Sequence, residues 1–109
     1  LKAQARALEE ERAQVRGDLN RARARLATQE RRIVEERARL RAQGQSPATQ
    51  ASLGKLDQAQ ARLTSAKGQI QGVRPDEQPV PDLKARSQGI QKELDEIDSM
   101  VSVVSGTRF

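Results

Sequence analysis

A chain of 109 residues with 35% apolar residues and a single aromatic, Phe109, cannot fill a thick core, and points to thin seams of Leu, Ile, Val and Ala between long helices. Cys, His, Tyr and Trp are all absent, which removes disulfides, thiolate or imidazole metal ligands and the commonest general bases. The formal charge of +5 lies wholly on residues 1–43, where 12 Lys or Arg face 7 Asp or Glu, while residues 44–109 hold 8 of each. No run of roughly 18 apolar residues is present to span a bilayer. The length suits one domain or a piece of something longer, and a first residue that is Leu rather than Met suggests a processed or shortened product.

Residues 1–43 contain no proline and predict one unbroken helix, roughly 65 Å long at helical rise. Its apolar residues form two heptad rows. Leu1, Leu8 and Val15 take d positions, and Leu19, Leu26, Ile33 and Leu40 take a positions. Arg12 falls on a core position, where it weakens the seam or fixes its register. Gly17 costs about 1 kcal/mol relative to Ala in a helix interior. Beyond it the d row passes to Ala22, Gln29, Glu36 and Gln43, while Ala27 and Val34 broaden the stripe, so this half is expected to face two neighbours.

Gly44-Gln45-Ser46-Pro47 predicts a helix–turn–helix. Gly44 suits a left-handed C′ position, Ser46 a cap and Pro47 the first helical position. A second helix runs to about Val73, with Leu56, Leu63 and Ile70 on a and Ala59, Ala66 and Val73 on d; Gly54 leaves its start open between Pro47 and Lys55. Pro75, Pro79 and Pro81 make the next connection a stiff, partly polyproline loop. A third helix, about 81–105, opens on Pro81 and Asp82 and carries Leu83, Ile90, Ile97 and Val104 on d, with Ser87, Leu94 and Val101 on a. It stops near Ser105-Gly106, leaving 106–109 as a tail.

Matching lengths gives an all-α architecture: a long N-terminal helix folded back into a hairpin and closed by the third helix as an elongated three-helix coiled-coil bundle. The second helix retraces the first only to about residue 17. Residues 1–16 are therefore expected to project as an arm, with residues 17–105 forming the three-helix region. The arm would expose Leu1, Leu8 and Val15 as an intermolecular seam, because an isolated helix of that length is marginal.

Chemistry is not visible. Glu9, Glu10 and Glu11 point in different directions on a helix, which reads as a solvated face rather than a metal site. Ser46 has no nearby base, and the glycines lack phosphate-binding spacing. No catalytic, cofactor or metal residue is expected, nor any small-molecule substrate.

Arg21, Arg25, Arg32 and Arg39 form a basic stripe that could track phosphates or anionic headgroups. Internal pairing is the favoured expectation, with Glu93 and Asp98 of the third helix beside Arg32 and Arg39, give or take one turn. The predicted role is a spacer or scaffold that binds other helices, by self-association or within a larger assembly. A basic surface docking on nucleic acid or membrane is the alternative.

A further reading comes from Arg39-Leu40-Arg41-Ala42-Gln43-Gly44 followed by Lys55-Leu56-Asp57-Gln58-Ala59-Gln60-Ala61-Arg62-Leu63. This stretch resembles the helical hairpin tip of bacterial membrane-fusion adaptors. The likeness is confined to residues 39–63 and implies a hairpin of an envelope adaptor or secretion component. The helix count also resembles a spectrin-type repeat, though with unequal helices and no Trp.

Overall fold

The apolar rows become the buried faces of three helices in the computed structural model, which describes residues 2–106. They are α1 (Lys2–Ala42), α2 (Pro47–Gln71) and α3 (Val80–Ser105), and each packs against the other two in an all-α bundle. On α1 the residues Val15, Leu19, Ala22, Leu26, Gln29 and Ile33 are buried at alternating steps of four and three, and α3 repeats that rhythm from Val80 to Val104. Ala59 and Ala66 of α2 are fully buried, and their small side chains let the neighbouring helices approach closely.

The bundle measures 64 × 28 × 16 Å. Its length is that of α1, whose 41 residues span about 62 Å. The radius of gyration, 17.7 Å, exceeds the ~13 Å of a compact chain of this size. α2 runs antiparallel to α1, as Arg37 with Asp57 (3.1 Å) and Glu30 with Lys67 (3.6 Å) record. α3 runs parallel to α1, from Lys84 against Glu11 (3.0 Å) to the Val104 carbonyl against Arg39 (3.3 Å).

At the first turn Gly44 has φ 89°, a region that disfavours any residue with a Cβ. Ser46 is the N-cap of α2: its Oγ accepts from the Thr49 N–H at 3.1 Å, and Pro47 opens the helix. Gly54 therefore does not delay the start. At the other end Gly106, left-handed at φ 62°, ψ 39°, terminates α3.

The second connection is more closed than three prolines suggest. Arg74 to Glu77 form a turn, with the Arg74 carbonyl accepting from the Glu77 (3.0 Å) and Gln78 (3.1 Å) amides. Pro79, at φ −60°, ψ 147°, is polyproline-like, and α3 starts at Val80 rather than Pro81.

This loop corrects the arm boundary. Arg12 donates to the Pro75 and Gln78 carbonyls, and Arg16 pairs with Asp76. Val15, only 2% exposed, belongs to the main core. Counting helix lengths ends the bundle where α2 ends, but residues 72–79 fold beyond α2 and let α3 begin lower beside α1. Among the described residues the exposed arm is 2–10, shorter than the expected 1–16. Gly17 lies within the bundle's length, where an added Cβ would meet only the Arg21 guanidinium at 3.6 Å.

Candidate interaction surface

Residues flanking the buried stripe of α1 sort by neighbour, and this disposes of most of the basic stripe. Arg25 faces α3, with Nη2 at 2.6 Å from both Asp95 Oδ1 and Asp98 Oδ2. Burial pushes the Arg25 guanidinium down, but hydrogen bonds and charge from Asp98 and Asp95 outweigh it and hold the pKa above its ordinary value. Arg39 pairs with Glu36 at 2.6 Å, Arg32 donates to Ser105 Oγ at 3.5 Å, and Arg21 pairs with Asp18 of its own helix. The four arginines thus spend donors inside the chain.

The pairing differs in height from expectation. Asp98 lies beside Arg25, two turns below Arg32, and Glu93 turns to Arg62 of α2 (3.8 Å), which also holds Glu96. Part of the difference lies where α3 begins, since Lys84 already reaches Glu11, while its end still meets the tip with the Val104 carbonyl at Arg39.

Gln29 was not among the candidates. It is 2% exposed on a d position, and its Nε2 donates to the Leu94 carbonyl (2.9 Å) and Asp98 Oδ1 (2.8 Å). Its Oε1 is buried without a partner. With Arg25, Asp95 and Asp98 it forms a polar contact between α1 and α3. The available signal was an amide on the d row, flanked along the helix by Leu26 and Ile33 of the a row.

Of the seam Leu1, Leu8 and Val15, Leu1 lies outside the described residues. Val15 is buried within the bundle, because α3 and the preceding loop cover its level. Leu8 remains, 51% exposed, on the same row as Val15 but past the end of the covering elements. Ala5 accompanies it.

Where the turn Gly44, Ser46 and Pro47 meets the end of α3, a shallow recess of about 310 Å³ opens between Arg39, Gln43, Thr49 and Ser105. Among the described residues, no group of three or more acidic residues is placed to hold a metal ion. No described helix is long and apolar enough to cross a membrane. Comparisons of the chain with protein-family models, curated proteins and solved structures find no match.

Proposed function

We propose that the chain is a non-enzymatic structural or interaction module, a rigid coiled-coil spacer whose N-terminal arm joins a helix of a partner, either another copy or a component of a larger assembly. The observation that carries this reading is the continuation of the α1 core stripe beyond the bundle. Positions 12, 15 and 19 are covered by the chain itself, while Ala5 and Leu8 extend the same rows into solvent. Leaving a Leu in water forgoes roughly 1.5–3 kcal/mol that a helix partner would supply. A basic surface acting on nucleic acid or membrane has less support, since Arg21, Arg25 and Arg39 are ion-paired within the chain. The adaptor-like hairpin is likewise less favoured: residues 39–63 lie in a hairpin closed by a third helix instead of standing as a helix pair.

Light scattering over a concentration series tests the arm. Wild-type chain is expected to gain mass with concentration, or to bind a partner helix. Leu8→Ser should abolish that gain without altering helicity. A Leu8→Ser protein that associates as wild type does would remove the arm from the account.

A further inference from the structure

The α1–α2 side of the bundle holds cations that the chain leaves unused. Two recesses lie along this seam. The larger, about 310 Å³, is lined by Val34, Arg37, Ala38, Arg41 and Gln60 among others. The smaller, about 180 Å³, has Leu26 and Ile70 with Arg23 and Lys67. Neither lining includes a carboxylate, and Glu30, which lies between them along α1, is already held by Lys67 at 3.6 Å.

The unused donors are specific. Arg37 gives Nη2 to Asp57 at 3.1 Å but keeps a buried Nε with no acceptor. The Arg41 side chain makes no hydrogen bond or ion pair among the described residues, and Arg23 donates only to Asn20 at 2.9 Å. Beside Arg37 and Arg41, Val34 is 66% exposed. The larger recess therefore pairs an exposed Val with unmatched positive charge, and the smaller sets Arg23 over the buried Leu26 and Ile70.

We infer that this seam is a docking face for an acidic amphipathic helix. The inference rests on the helix-binding reading and adds a second face and the partner's charge. Along α1 the recess centres stand a dozen residues apart, about 18 Å at helical rise. Apolar side chains three turns apart on one helix face reach both, at i and i+11, with i+4 and i+7 between them. Carboxylates flanking that row meet Arg23 and Arg41 in charge-assisted hydrogen bonds. A polyanion would supply the charge but nothing to cover Val34. No aromatic lies in the described residues to stack a base.

The test is fluorescence anisotropy with the full chain and a labelled synthetic helix of about 18 residues, carrying Leu at i, i+4, i+7 and i+11 and Glu on both flanks. Two control peptides replace every Glu by Lys, or every Leu by Ser. The acidic peptide is expected to bind, and each control to bind at least about tenfold more weakly. Val34→Ser and Arg41→Gln change side chains outside the core and should each weaken binding by about tenfold with helicity unchanged. Leu8→Ser should leave this binding intact, so failure of the seam and failure of the arm are read separately. Absence of acidic-peptide binding, or binding indifferent to Val34→Ser, overturns the inference. So does retention of a heparin fragment or anionic vesicles that Arg41→Gln weakens and Val34→Ser does not, which would assign these cations to a polyanion.

Discussion

Replacing Gln29 by Leu should stabilise the bundle. The substitution removes two hydrogen bonds, to the Leu94 carbonyl and Asp98 Oδ1, at about 0.5–1.5 kcal/mol each. It also removes a buried Oε1 that has no partner, relieving about 1–3 kcal/mol. A Leu at a site only 2% exposed adds about 1.5–3 kcal/mol of apolar burial. Asp98 loses one donor but keeps Arg25 at 2.6 Å, so no charge is stranded. After some loss to imperfect fit, the balance is a gain of about 1–2 kcal/mol, which raises Tm by about 5–15 °C. Urea melts read it as a higher midpoint at unchanged slope. Buried polar groups at heptad core positions trade stability of this kind for register. A Gln29→Leu variant destabilised by more than about 1 kcal/mol would refute this reasoning and make the amide a net source of stability.

Val15→Ser should lower stability by about 2–4 kcal/mol in urea melts while leaving the mass in light scattering unchanged, the reverse of the pattern expected for Leu8→Ser. Gly44→Val should cost about 1–2 kcal/mol in the same assay, because φ 89° sets a Cβ against the backbone. Arg25 supplies a pH test. Its folded pKa is raised, so its contribution is complete below the unfolded value and is lost only as pH climbs through the folded one. The stability difference between wild type and Arg25→Leu should therefore stay constant from about pH 6 to about pH 9 in parallel denaturant melts, and a difference that shrinks across that window would contradict the assignment.

Much of this fold is legible in the residues. Heptad rows need only a list of apolar positions, and Gly44, Ser46 and Pro47 act within four residues of one another, so local rules reach both the helices and the tip. Vertical placement of α3 is a different matter. It depends on how residues 72–79 fold, and that is decided by contacts some sixty residues apart in sequence, such as Arg12 with the Pro75 and Gln78 carbonyls. By its heptad position Arg12 weakens the seam or fixes its register; its use as a donor to the loop shows only in the fold. The same displacement carried Val15 into the core and set Asp98 beside Arg25. On the surface, the stripe Arg21, Arg25, Arg32 and Arg39 is visible as a pattern, but its occupancy depends on which α3 carboxylates arrive at its level. The α1–α2 recesses leave no mark in the heptad rows, because they arise where residues flanking two antiparallel helices fail to meet.

The account depends most on α3 closing the bundle within its own chain, parallel to α1, since only then is the arm left as residues 2–10. Cysteines at Arg25 and Asp98, in a chain that has none of its own, can be joined by a short bis-maleimide in a mixture of isotopically light and heavy protein. The account predicts efficient cross-linking at monomer mass, with no light–heavy species. Cross-links found only between light and heavy chains, or none at these positions, would contradict it.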